Sequence, residues 1–309
     1  MKDSDKKYDV IGWGVVAVDD LFHVPTLAKP DSKVMAISTD RRIGGLTAVA
    51  LLAACELGGK ASYAGVLGGD PLSRFVTDAL ARGGVDVSHV VTLPDARPVH
   101  AVVVVCVKDG SRTIYYTTEK RKPRGRDEML EDLVDRSRTL LVDPFSLSDG
   151  GGMLEYAREA DVPVIADLED EYIHAYDELL PLIDHMVLPI GAARGMAGTD
   201  DPEEATRILA QGRRAAVVTA GKQGCWFASG DDPSQVGHQP IFEVEVRNTT
   251  GCGDVFHGAY AIAIAREWSL DKAVEFASAA AAVRAEDSAP TGGVTDCDRV
   301  DELLGRATV

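Results

Sequence analysis

Residues 139–168 read TLLVDPFSLSDGGGMLEYAREADVPVIADL: an apolar run at 139–143, a helical stretch, and a second apolar run at 163–167. Two more apolar runs follow at 185–188 and 215–219, again separated by helical stretches. Short runs rich in Val, Ile and Leu, bounded by helices, read as strands buried on both faces. Repeated strand–helix–strand units join parallel strands by right-handed crossovers. The fold class expected is therefore α/β, a doubly wound and mostly parallel sheet flanked by helices.

Upstream, Tyr8 to Val18 (YDVIGWGVVAV) reads as one buried strand that opens onto Asp19-Asp20. Residues 22–43 carry Pro25 and Pro30 and no helical period, so they suit short strands of an accessory sheet. Gly44-Gly45 precedes LTAVALLAACELGG, a helix closed by Gly58-Gly59, and a strand is expected at 61–66. Asp70-Pro71 supplies a cap and a first-turn proline for a helix running to about Arg82. Residues 98–107 and 112–117 read as a hairpin turning at Lys108-Asp109-Gly110, followed by the basic run KRKPRGR at 120–126. Such a run is expected to be a solvated surface segment. The C-terminal part reads as helices near 252–266 and 270–285. We expect one domain over residues 1–309, with a lid formed by about 20–43 and 95–118.

The chain has 309 residues and a net charge of −17. That charge opposes binding to nucleic acid or an anionic membrane, and neither is expected as a partner. No apolar run reaches the ~18–20 residues of a membrane span. The start, MKDSDKKYDV, lacks the apolar stretch of a signal peptide. The five cysteines are widely spaced with no CxxC pair, so no metal site is expected and a reduced, cytoplasmic setting is.

The chemistry concentrates in NTTGCGDVFHG, residues 248–258. Gly251-Cys252-Gly253 leads directly into an alanine-rich helix. Amides at a helix start point outward at the positive end of the helix dipole and make a hole for a phosphoryl group. Asp254 stands at the mouth of that turn, where a carboxylate can take the proton of an attacking hydroxyl or bind a metal. Taken alone, the pattern is equally a glycine-rich turn with a capping aspartate.

NTTGCGDVFHG resembles the C-terminal signature of the ribokinase-like (PfkB-type) carbohydrate kinases. Gly44-Gly45 with residues 64–90 resembles the family's N-terminal signature, residues 108–113 (KDGSRT) its lid hairpin, and residues 219–224 (TAGKQG) its nucleotide loop. Within the family, residues 251–265 and 274–284 are similar to the sulfofructose kinase branch.

The resemblance implies transfer of the γ-phosphoryl group of ATP to a hydroxyl of a sugar or sugar derivative, with Mg²⁺. It implies Asp254 as base and Gly251, Cys252 and Gly253 as the anion hole. Asp19, Lys33, Gly44, Gly45 and His100 fall to the acceptor, and Thr219, Gly221, Gly224 and Thr250 to the nucleotide. An anionic acceptor, such as a sulfosugar or sugar acid, is suggested by Lys33. A homodimer paired through the lid is implied. K⁺ is left open, because Asn248 stands where the signature begins with Asp. Val49 replaces the family's sugar-binding Asn, and no NxxE pair is found near Ile190–Ala193. Tyr116 and Phe145 stand where the sulfonate pocket has Asn and Arg. These departures keep two alternatives in view: a nucleoside kinase, and a catalytically weak sugar- or nucleotide-binding sensor.

Overall fold

The computed structural model describes residues 6–169, 176–287 and 296–307. Residues 1–5, part of the stretch on which the lack of a signal peptide is read, lie outside them.

Eight strands form the central sheet, in the order Gly237–Gln239, Cys225–Ser229, Ala215–Thr219, His185–Pro189, Val164–Asp167, Ser137–Val142, Tyr8–Trp13, Ala61–Tyr63. The six from Ala215–Thr219 onward are parallel, and the first two are antiparallel additions at one edge. Alternate side chains enter two cores, as the two-residue period of a strand requires. Val10, Leu141, Ile165, Val187 and Val217 pack under helices Leu46–Glu56, Cys252–Ala265 and Leu270–Glu286. Ile11, Leu140, Val142, Met186, Leu188 and Val218 pack on the other face, against helices Glu128–Asp135, Gly152–Glu159 and Pro202–Ala210. Burial on both faces is why these strands are continuous apolar runs in the sequence.

The accessory sheet has four strands in the order Ser38–Gly44, Ala17–Val24, Val99–Cys106, Arg112–Thr117. The expected single strand from Tyr8 to Val18 is thus two strands in two sheets. The break has a cause. Asp143 Oδ2 accepts the Val15 N–H at 2.6 Å and the Thr47 hydroxyl at 2.9 Å, and this pulls the chain out of the body toward the lid. Gly14 has no room for a side chain there, since a Cβ would lie 2.2 Å from that same Oδ2. The helix expected after Asp70-Pro71 spans Pro71–Arg82, with the Asp70 carboxylate accepting from Leu72 N at 3.0 Å. No helix among the described residues is long and apolar enough to cross a membrane.

Candidate active site

The carboxyl ends of the parallel strands face the lid, and the site collects there. Helix Cys252–Ala265 begins at Gly251, whose φ of 81° is a left-handed value that glycine adopts without strain. Gly251 can offer no side-chain cap; Cys252 N makes only a long bond, 3.4 Å, to Thr249 O, and the next amides of the first turn have no intrahelical partners, which opens the turn to an anion. Cys252 contributes to this turn through its backbone. Burial raises its thiol to about 11, so the side chain is an inert one.

Asp254 follows in the first helical turn. Its carboxyl is held well above the usual carboxylate range, first by loss of water, then by the negative charges of Asp167 and Glu169, with His257 opposing. Asp254 keeps part of its surface exposed, as a base must. A carboxylate raised in this way is a better proton acceptor for an alcohol than an ordinary aspartate.

The lid brings Asp19 to the same place. Gly44 lies across from it so closely that a Cβ would fall 2.2 Å from Asp19 Oδ2. At Gly45, φ is 94° and a Cβ would meet Val15 O at 2.7 Å. Val49 Cγ1 and Asp254 Oδ2 both lie within 4 Å of the point where a Gly251 Cβ would stand. Asp19, Gly44, Gly45, Val49, Gly251 and Asp254 therefore surround one space. Thr250 closes it from the lid side, where its hydroxyl oxygen accepts from Arg112 Nη1 at 2.7 Å. Thr219 ends its strand at the same edge of the sheet, and the turn that follows is tight. Ala220 N donates to Gly224 O at 2.8 Å, and a Cβ on Gly224 would strike Gln239 O at 2.1 Å.

Two predicted site residues are not brought into this group. His100 pairs with Val18 in the lid register and Asp19 with Ala101, so His100 points from the opposite face of the sheet. There its Nε2 lies 2.8 Å from Asp20 Oδ2, and Asp20 also holds Arg41. Lys33 is exposed in the loop between two lid strands. The basic run is exposed at five of its seven positions, as expected of a surface segment, but two of its arginines are held. Arg121 forks onto Asp149 at 2.7 and 2.8 Å, and Arg124, 3% exposed, donates to His89 O at 2.6 Å. Paired in this way, these arginines anchor the segment that leads away from the lid.

Sequence reasoning missed several members of the site. Asp167 and Glu169 stand at and just past the end of strand Val164–Asp167. His257 directs Nδ1 at Gly253 O (2.8 Å) and Nε2 at Val187 O (3.0 Å), tying the anion-hole turn to the sheet. Asp167 Oδ2 is 3.2 Å from its Nδ1. Arg42, 3% exposed, faces Asp19 directly across the lid strands. An acid directly after an apolar strand was the available signal for Asp143 and Asp167. The others depend on contacts distant in sequence.

The model of the pfkB family of carbohydrate kinases matches residues 15–296. The chain belongs to the pfkB family of carbohydrate kinases. It is an ATP-dependent phosphotransferase acting on an alcohol group of a sugar-like acceptor. It is 26% identical to a ribokinase from Haemophilus influenzae, over 90% of this chain and 94% of that one. It is 23% identical to a 5-dehydro-2-deoxygluconokinase from Clostridium botulinum, over 91% and 88%. Among solved structures, a putative ribokinase from Agrobacterium tumefaciens matches with a TM-score of 0.83 at 27% identity, over 96% and 98%. A putative ribokinase II from E. coli in complex with ATP and Mg²⁺ matches with a TM-score of 0.77 at 17% identity, over 96% and 99%.

Proposed function

We propose that the acceptor is an anionic sugar derivative, such as a sugar acid or sulfosugar, and that Asp254 deprotonates its reacting hydroxyl. The observation that carries the anionic reading is Arg42. It is a buried cation beside Asp19 on the lid face that looks toward Asp254. Its Nε donates to Asp40 Oδ2 at 2.8 Å, and its buried Nη2 lies 2.7 Å from the same oxygen in an ion pair that lacks the alignment of a hydrogen bond. Both of those nitrogens share one Asp40 oxygen, and a guanidinium has five donors in all, so Arg42 keeps donors for a second acid group, on the acceptor. The similarity to 5-dehydro-2-deoxygluconokinases, whose name specifies a gluconate, supports the same class. The Gly251–Gly253 amides hold the transferring phosphoryl group, and the turn at Thr219–Gly224 takes the nucleotide. Lid contact through Arg112 and Thr250 keeps water from competing with the acceptor.

Mg²⁺ fits the residues present. Asp167 Oδ1 is buried without a hydrogen-bond partner among the described residues, and Glu169 and Asp254 adjoin it electrostatically. These are hard oxygen donors. Among the described residues no group of three or more potential ligands is arranged to hold a metal ion. When bound, Mg²⁺ neutralises charge on the phosphate oxygens.

The outer lid face exposes Phe22 and Tyr115, and we propose that it pairs with a second copy. The five cysteines are free, in keeping with a cytoplasmic location.

A coupled ADP-release assay over matched neutral and acidic acceptors tests the reading. Sugar acids or sulfosugars should give the highest kcat/KM. Arg42→Ala should remove that preference while leaving neutral sugars nearly unchanged. Equal turnover of neutral hexoses, or preference for inosine or adenosine, defeats it.

A further inference from the structure

Arg284 lies in the last turn of helix Leu270–Glu286 and is 1% exposed. A guanidinium has five donors and keeps its charge at any ordinary pH. Burying one without good partners is costly, so its placement calls for an explanation. Its Nε and Nη1 make no hydrogen bond among the described residues, and the ion pair from Nη1 to Asp287 is long, at 3.9 Å.

Its position points to the phosphoryl-transfer site. A Cβ at Gly251 would lie 3.7 Å from Arg284 Nε and 3.9 Å from Asp254 Oδ2. The guanidinium therefore sits directly behind the anion-hole turn, close to the proposed base. Its charge also reaches Cys252, where it opposes the upward push of burial on the thiol. The same helix end fixes the approach to the turn. Ala285 O accepts from Arg247 N at 2.8 Å and from Asn248 N at 3.2 Å. The negative end of the helix dipole favours a cation at this point.

We infer that Arg284 is a fixed cation of the phosphoryl-transfer site, a positioning residue packed behind the 251–253 turn that adds positive potential there. The turn's amides gather the charge that develops on the phosphoryl oxygens. A fixed positive charge behind them, in a water-poor setting, strengthens that stabilisation without reorganising during the reaction.

This inference rests on the phosphoryl-transfer reading, and the test separates the two. MgADP binding is measured by calorimetry with and without aluminium fluoride, which mimics a phosphoryl group in flight. Arg284→Met keeps the length and apolar stem of the side chain and removes its charge. MgADP alone should bind this variant within about threefold of wild type, because the charge acts on the phosphoryl position. The tightening by fluoroaluminate should fall about tenfold to a hundredfold, less than the roughly 10²–10³ lost with a donor that touches the oxyanion, because this charge acts from behind the turn. Arg284→Lys, or low guanidinium chloride added to Arg284→Met, should restore part of it. Full tightening in Arg284→Met overturns the inference. So does a loss of all nucleotide binding with a lowered Tm and no rescue, which is the signature of a packing role alone. Failure of the wild type to bind MgADP would instead defeat the kinase reading, and this inference with it.

Discussion

Replacing Asp254 by Asn keeps size and shape and removes the proposed base. Proton transfer by a placed carboxylate contributes about 10²–10⁴ in rate, so kcat should fall by about that factor. Nucleotide binding should survive, because the Gly251–Gly253 amides and the Thr219–Gly224 turn are untouched. The structure adds a second, opposite effect on stability. Asp254 is desolvated and lies in the field of Asp167, Glu169 and Asp19, so its folded-state carboxyl titrates well above the ordinary value of 3.8. A group with a raised folded pKa binds its proton more tightly in the folded state. Its contribution to stability is present at low pH and is lost as pH rises through the raised pKa. The wild type therefore carries a destabilising charge at pH 8 that Asp254→Asn lacks. The variant should melt higher than wild type at pH 8, and the gap should close as the pH falls toward the ordinary carboxylate range. The assays are coupled ADP release with the best acceptor, MgADP calorimetry, and melting curves from pH 5 to 8.5. A kcat within tenfold of wild type would refute the base assignment. A lower Tm at pH 8 would refute the account of the acidic cluster.

The same raised carboxyl places the acidic limb of the kcat profile above that of an ordinary aspartate. A pH–rate series should show activity lost on acidification while the protein stays folded by circular dichroism. Gly44→Ala forces a Cβ to 2.2 Å from Asp19 Oδ2, so Asp19 must move; KM for the acceptor should rise and KM for ATP should not, as steady-state kinetics will show. Arg112→Ala breaks the 2.7 Å bridge from lid to Thr250 and should raise the ratio of ATP hydrolysis to acceptor phosphorylation, read by comparing ADP with sugar phosphate released.

The sheet was legible because its strands are buried on both faces and have no choice but to be apolar. Helix Pro71–Arg82 was legible because Asp70 and Pro71 announce it locally. The break at Gly14 was not, because its cause is Asp143, 128 residues away. The edge strand Gly237–Gln239 (GHQ) is short and nothing in its composition separates it from a loop, whereas Trp226 and Phe227 gave Cys225–Ser229 a strand signal that went unread. The site divides along the same line. Asp254 and the glycine turn are contiguous in sequence and carry their chemistry with them. His100 misleads because a one-residue shift in strand register decides which face a side chain takes, and register is set by partners. His257 and Arg284 look like packing residues in a helix until Val187 and Gly251 are placed beside them.

Net charge is a poor guide to such a site, and the arrangement of its ions explains why. A chain of −17 gathers further acids, Asp19, Asp167, Glu169 and Asp254, where a polyanionic nucleotide must react. Loss of water first, and then repulsion among them, raises Asp254 toward useful basicity, so the acids cannot simply be diluted by surface lysines. The opposing charge has to be local, and it is buried at Arg42 and Arg284 and exposed at Arg112, where screening is stronger. Arg42 stands beside Asp19, Arg112 bridges to Thr250, and Arg284 sits behind Gly251. Each reaches the site from a different segment, two from the lid and one from a helix end. If the accessory sheet acts as the proposed lid, its opening withdraws the first two and leaves Arg284 in place. The positive field over the acceptor thus depends on closure, whereas the field behind the phosphoryl turn does not. A lid variant should therefore change acceptor affinity more than fluoroaluminate tightening, and an Arg284 variant should do the reverse.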